Sequence, residues 1–559
     1  MAGKKYVIGV DYGTESGRAL LVEVGTGREV ACAVLPYPDG VIDHALPGGK
    51  VKLPHDWALQ NPADYLAVLK KTVPAVLKQG TVKGSDVIGL GIDFSACTCL
   101  PVDRDGTPLC MLPQFKNNPH AWVKLWKHHA AQAEANKIND TAHRRKEDWI
   151  HFFGDKLSSE WMYAKVWQVL DEAPAVYKAA DRFMEAADWV ILQLTGVEAR
   201  NACTAGYKAQ YIKGRGYPGK AFFKALDPRL ENFVEEKLPG EIFPMGHRAG
   251  TITPRMAKLT GLTTDCAVAV ANVDAHVAVP AATITSAGKM LMIMGTSICH
   301  ILLGDKLKAV PGACGVVEDG VIEGFYGYEA GQSGAGDILA WFVKNCVPAA
   351  CHDEAKKAGT NVFAYLEKLA GAKKPGESGV LALDWINGNR SVLVDVDLTG
   401  MFLGMNMQTK TEDLYRALVE ALAFGTYTII NNFEKYGIGV KELYACGGLA
   451  EKSDFLMQIF SDVTNRTIKI AASGQTPALG SAMFGAVAAG KKAGGYDTIQ
   501  QAAKKMAALK KKVYRPNKAN HAVYQKLYAE YATLHDYFGR GTNNVMKTLK
   551  AIKARQMGA

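Results

Sequence analysis

Apolar residues along this chain follow two rhythms: short unbroken runs, and longer stretches in which they recur every three or four positions. Tyr6 to Val10, Arg18 to Val24, Val87 to Ile92, Cys266 to Ala271, Lys289 to Met294, Val440 to Cys446 and Thr467 to Ala471 are of the first kind and read as strands. The second kind gives helices. Asn61-Pro62 supplies a cap followed by a proline suited to a first turn, and Tyr65, Leu66, Leu69, Val73 and Val76 then share one face. Ser453 caps a helix running through Val463, and Pro477 opens another. From about His120 to Trp161, tryptophan, histidine and mixed charge occur without strand alternation, so this stretch reads as a helical insertion. Helices alternating with short strands predict a layered α/β fold. A small, polar stretch from Ala281 to Gly288 suits a hinge, which places one domain at 1–284 and a second at 285–559.

Composition narrows the function more than the fold. At 559 residues, 48% hydrophobic and 21% charged, the chain has ample core for roughly two to four domain-sized units. The opening residues hold only a brief apolar run, and no segment reaches the ~18 uninterrupted apolar residues of a membrane helix, so neither a leader nor a membrane is expected and the location expected is cytoplasmic. The 11 cysteines are scattered, and Cys97-Thr98-Cys99 lacks a second pair at zinc spacing. A formal charge of +10 is concentrated near the end of the chain, at Lys504, Lys505, Lys510, Lys511, Lys512 and Lys547. Lysine and alanine at that density read as solvated faces of a C-terminal helical extension, without the interleaved aromatics of a nucleic-acid groove. Two motif matches lack context: Gly485 to Lys492 nearly spells a P-loop but ends an alanine-rich helix, and Gly214 to Gly219 spells G-x-G-x-x-G with a proline in a loop.

Two turns carry the candidate chemistry. Asp11-Tyr12-Gly13-Thr14 joins the first pair of strands, and Gly295-Thr296-Ser297 ends the strand from Lys289, so the same strand, glycine and hydroxyl logic occurs twice. Turn amides of this kind face an anion, and Asp11 would face its metal. An ordinary hairpin would use the same residues to satisfy its own backbone. Gly447-Gly448, between a strand and a helix, lets backbone approach a ligand closely.

The order of these motifs, with Ala478-Leu479-Gly480-Ser481-Ala482, resembles the FGGY carbohydrate kinases of the sugar kinase, Hsp70 and actin superfamily over residues 5 to 490. Four blocks are most similar to the branch that phosphorylates ribulose: Gly91 to Thr98, Asn272 to His276, Tyr328 to Ser333 and Asp384 to Arg390. A kinase for another pentulose or polyol, xylulose among them, is the nearest alternative, and a nucleotide-gated binding protein of the Hsp70 or actin kind a more distant one. The resemblance implies two RNase H-like domains flanking a catalytic cleft, ATP as co-substrate with Mg2+, and conversion of L-ribulose to L-ribulose 5-phosphate in L-arabinose degradation. It leaves room for a homodimer, which residues alone do not decide.

Residue by residue, the resemblance implies Asp274 as the base that takes the sugar hydroxyl proton, with Lys208, Glu329 and the backbone of Ala96 as further sugar contacts. Asp11 would anchor the metal. Thr14, Arg18, Gly295, Thr296, Ser297, Gly447, Gly448 and Ala450 would hold the nucleotide. Read structurally, Asp274 would cap the helix after it, Arg18 would be an ion-pair partner and Lys208 a surface lysine in a loop. Glu451-Lys452-Ser453 departs from the asparagine or serine that many members carry near the adenine.

Overall fold

The first apolar run becomes β1 (Tyr6–Tyr12), which turns through Gly13 into the antiparallel β2 (Ser16–Glu23) and on to β3 (Glu29–Pro36). In the computed structural model, which describes residues 3–556, α1 (Pro62–Gly80) then crosses over this hairpin. Asn61 caps α1 by accepting the Ala63 N–H, and Tyr65, Val68, Leu69, Val73 and Val76 are its buried face. That crossover returns the chain as β4 (Val87–Phe94), parallel to β1. Much later β5 (Arg248–Thr251), β6 (Ala267–Ala269) and the short β7 (Asn272–Val273) complete a seven-stranded sheet in the order β5-β6-β4-β1-β2-β3, with β7 extending the β6 side of β4.

Beyond α2 (Asp274–Ala281) a second seven-stranded sheet repeats this pattern. It consists of β8 (Lys289–Met294), β9 (Ile298–Gly304), β10 (Gly315–Glu318), β11 (Tyr326–Gln332), β12 (Glu442–Cys446), β13 (Ile468–Ala471) and β14 (Leu509–Tyr514), ordered β10-β11-β9-β8-β12-β13-β14. Both sheets combine an antiparallel meander, of three strands in the first and four in the second, with two parallel additions and an antiparallel edge. One hydrophobic cluster covers the first sheet and continues onto Leu291, Ile301 and Leu303 of the second, whose other face, with Met290, Met292 and Met294, has a second cluster.

Two expectations need correction. The stretch from His120 to Trp161 is only partly helical: helix Gln132–Arg145 is joined by a short strand, Val123–Lys124, that pairs within a separate four-stranded sheet. The lysine-rich C-terminal stretch is also not wholly helical, since Leu509–Tyr514, with Lys510, Lys511 and Lys512, is the edge strand β14. Lysines on an edge strand discourage further pairing, so their composition imitates a helix face for a different physical reason.

Helix α3 (Thr476–Ala489), from the second half of the chain, packs on β1 and β4 of the first sheet. Backbone meets backbone there. A Cβ on Gly9 would lie 1.8 Å from the Ala478 carbonyl oxygen, and one on Gly91 would lie 2.0 Å from that of Ser481.

Candidate functional site

Parallel pairing of β1 with β4 sets Gly9, Val10, Asp11 and Tyr12 beside Gly91, Ile92, Asp93 and Phe94, position for position. Because facing residues in paired strands share a side of the sheet, both aspartates project toward α3. Asp11 is 6% exposed and Asp93 is sealed at 0%. Ser481 of α3 donates to Asp93 Oδ2 at 2.6 Å, while Asp93 Oδ1 has no hydrogen-bond partner among the described residues. Arg18, opposite Asp11 on β2, brings Nε to 3.4 Å from Asp11 Oδ2 and donates through Nη1 to Gln475 at 3.3 Å. The ion-pair reading of Arg18 is therefore realised in the structure.

Asp274 opens α2 directly after β7, which pairs with β4 at Asp93. Its Oδ1 accepts the Ala275 N–H at 2.6 Å, and its side chain keeps partial access to the cleft. Burial, then the negative charge of Asp11, pushes the Asp274 carboxyl up to about 7, against the pull of the Ala275 N–H and Lys208. Burial also raises Asp11, with Arg18 opposing, and carries Asp93 well above the ordinary carboxylate range with Asp11 adding to the shift.

A second group of charges lies across the same cleft. Glu329 on β11 is 3% exposed and receives Lys208 Nζ at 3.2 Å and Arg390 Nη2 at 2.5 Å, with His276 Nε2 at 3.4 Å. Lys208 and His276 come from the first half of the chain, Glu329 and Arg390 from the second. Burial alone would raise the Glu329 carboxyl; Lys208, the contact with His276 and Arg390 instead hold it well below its ordinary value. Lys208 sits in helix Ala202–Ala209 at 4% exposure, which excludes the surface-loop reading. Ala96 lies in the turn after β4, next to Cys97, whose φ is 54° and whose carbonyl accepts Lys165 Nζ at 2.6 Å.

The two glycine and hydroxyl turns differ in cover. Gly13-Thr14 is tied down: Tyr37 donates to the Gly13 carbonyl at 2.9 Å, Gln60 to the Thr14 carbonyl at 2.7 Å and Trp126 to the Thr14 hydroxyl at 3.0 Å. Gly295 and Thr296 are exposed, their carbonyls taken by the Gly336 and Ala335 N–H groups at 3.1 and 2.7 Å. Ser297, half-buried, closes this turn by accepting the Gly295 N–H at 2.9 Å. Adjacent parallel strands β8 and β12 bring Gly447 beside it. Gly447 has φ 93° and a Cβ there would lie 2.6 Å from the Met294 carbonyl oxygen, whereas Gly448 borders open space and Ala450 is buried. Backbone is thus bared at Gly295, Thr296 and Gly448.

Sequence reading gave no role to Asp93, Ser481, His276 or Arg390. For Asp93 a signal was present, since Gly9-Val-Asp-Tyr12 and Gly91-Ile-Asp-Phe94 are the same four-residue pattern. No comparable signal marks Arg390, which reaches Glu329 across 61 residues.

A repeated sheet pair with nucleotide-type turns and carboxylates between them defines a two-domain sugar kinase fold. Residues 6–280 match the N-terminal domain and residues 290–489 the C-terminal domain of the FGGY family of carbohydrate kinases, and the chain belongs to that family. It is 60% identical over 552 residues to the ribulokinase of Halalkalibacterium halodurans, covering 99% of this chain and 98% of the relative, and 47% identical to that of Mycolicibacterium smegmatis, covering 98% and 97%. Among solved structures, gluconate kinase from Lactobacillus acidophilus superposes with a TM-score of 0.78 at 17% identity (96% and 99% covered), and xylulose kinase from Rhodospirillum rubrum with 0.78 at 21% (95% and 98%). No helix among the described residues is long and apolar enough to cross a membrane.

Proposed function

We propose that this chain transfers the γ-phosphoryl group of ATP to the primary hydroxyl of L-ribulose, giving L-ribulose 5-phosphate as a step of L-arabinose breakdown in the cytoplasm. The ribulokinases that match it along nearly its whole length support this substrate. The observation that carries the chemistry is the Asp274 carboxyl, raised to about 7 at the mouth of the cleft, within range of both the Asp11 charge and the Glu329 group. A base poised near neutral pH accepts a hydroxyl proton and keeps it while the phosphoryl group moves.

In this reading 1–284 and 285–559 act as two domains. Lys208, Glu329 and the Ala96 backbone grip the sugar, and Thr14, Arg18, Gly295, Thr296, Ser297, Gly447, Gly448 and Ala450 hold the nucleotide. The donor set suits magnesium. Among the described residues no three ligating side chains enclose an ion by themselves, and magnesium binds through one or two carboxylates while keeping water and phosphate oxygens. Asp11 would hold it, and the bound ion would neutralise charge developing on the transferred group. The test is ADP release with ATP and magnesium against L-ribulose, D-ribulose, L-xylulose, D-xylulose and ribitol. L-Ribulose is expected to give the highest kcat/KM; no release above the ATP-only background with any of them refutes the proposal.

A further inference from the structure

Asp93 is fully buried, lies beside Asp11, and has one oxygen without a donor among the described residues. Its twin position is set by register: Gly9 and Gly91 both lie under α3, and two residues on, Asp11 and Asp93 emerge side by side. Ser481 occupies Asp93 Oδ2 at 2.6 Å, which orients the carboxyl and leaves Oδ1 unpartnered. Register sets the Asp93 and Asp11 side chains next to each other on one face of the sheet. When both are ionised, neither carboxylate can donate to the other. A nearly dry pair of neighbouring carboxyls needs a proton or a cation between them, and the cation is the one that leaves both charges in place. Arg18 serves only the far side of Asp11, through Nε at 3.4 Å, and its other contact is Gln475.

We infer that Asp93 is a second carboxylate of the divalent-cation site, acting with Asp11 on the ion that accompanies the nucleotide. This rests on the kinase reading above and on Asp11 as the metal anchor. Two carboxylates on adjacent strands give an ion a fixed edge, and nucleotide phosphate and water complete its shell. Ser481 gives the site a physical link to the second half of the chain, since it holds the Asp93 carboxyl from the helix that carries the Ala478 to Ala482 block.

The experiment uses the full chain and Mn2+ as the probe, with the free-ion electron paramagnetic resonance signal read in the presence of ADP and sugar. Thermal melting and metal-free ADP binding by calorimetry are recorded beside it. Asp93→Asn is isosteric and retains an acceptor for Ser481, so it tests the charge and the ligand oxygen. It is expected to weaken Mn2+ retention on the order of 10- to 100-fold while metal-free ADP binding stays within about twofold. Ser481→Ala keeps both carboxylates and breaks only the link to α3, and it is expected to retain Mn2+ far better than Asp93→Asn. Wild-type Mn2+ affinity in Asp93→Asn, with sugar-dependent ADP release by the parent intact, overturns the inference and spares the kinase reading. Equal losses in Asp93→Asn and Ser481→Ala also overturn it, because Asp93 would then act as a packing link. A parent protein that retains no Mn2+ with ADP removes both the inference and its premise.

Discussion

Asp93 and Glu329 are almost equally sealed, at 0% and 3% exposure, yet their carboxyls are driven in opposite directions. Around Asp93 the nearest charges are Asp11 and Asp274; around Glu329 they are Lys208, His276 and Arg390. Burial penalises both charges alike, so the neighbours decide the outcome. One cleft therefore holds an under-compensated anionic corner beside an over-compensated carboxylate. The proposed phosphoryl transfer would use both: a base and a place for a cation on one side, and a fixed polar grip for a neutral sugar on the other.

The sharpest break of this contrast is Asp274→Asn. It should lower the maximal rate by roughly 10²- to 10⁴-fold, with ATP affinity nearly kept, as read by steady-state kinetics and calorimetry. The folded carboxyl keeps its proton up to about 7 whereas the ordinary one gives it up near 3.8, so the folded state is increasingly penalised as pH rises between those values. Asparagine removes that penalty, and its melting temperature relative to the parent should be higher at pH 8 than at pH 5. A variant that is dead and also uniformly less stable would contradict the anionic-corner account.

Glu329→Gln attacks the other side. It leaves Lys208 and Arg390 facing a neutral amide, which should cost about 3 kcal/mol of stability or more in denaturant unfolding at pH 7, with less lost when Lys208→Met is added. Because the Glu329 carboxyl is held low, its contribution is present above the ordinary carboxylate range and lost as pH falls through and below it. Both single variants should also lower kcat/KM for L-ribulose on the order of 10- to 150-fold, and unequally across L-ribulose, D-ribulose and ribitol. Equal losses for all three would remove them from sugar choice.

Smaller effects sharpen the comparison. kcat/KM should rise about tenfold per pH unit below 7 and level off above it, as Asp274 gives up its proton, and Asp274→Glu should move that limb. Arg390→Lys keeps the charge beside Glu329 but loses the planar fork, so the KM for sugar should rise by no more than about tenfold with kcat little changed.

Much of this was legible in the chain. The strand, glycine and hydroxyl pattern located both turns, and Asp274 came from the resemblance carried by the Asn272 to His276 block. What escaped depends on placement across the fold. Lys208 meets Glu329 over 121 residues and from a buried helix, which no local pattern encodes. Asp93 was passed over as a strand end because its likeness to Asp11 matters only once β1 and β4 lie in register. The edge strand at Leu509–Tyr514 was hidden by its lysines, whose spacing suits a solvated helix as well as a guarded edge.

The glycine contact beneath Asp11 and Asp93 has a mechanical meaning. Contacts through side chains yield by changing rotamer, but at Gly9 and Gly91 against α3, as at Gly154 against Ala313 and Gly480 against Val277, the two halves of the chain bear on each other backbone to backbone with no such cushion. A stiff joint transmits torque without absorbing it. Any turning of the second half about that helix is delivered to strands whose aspartates stand two residues further along, so the anionic corner feels the angle between the halves as directly as a hand on a lever feels its load.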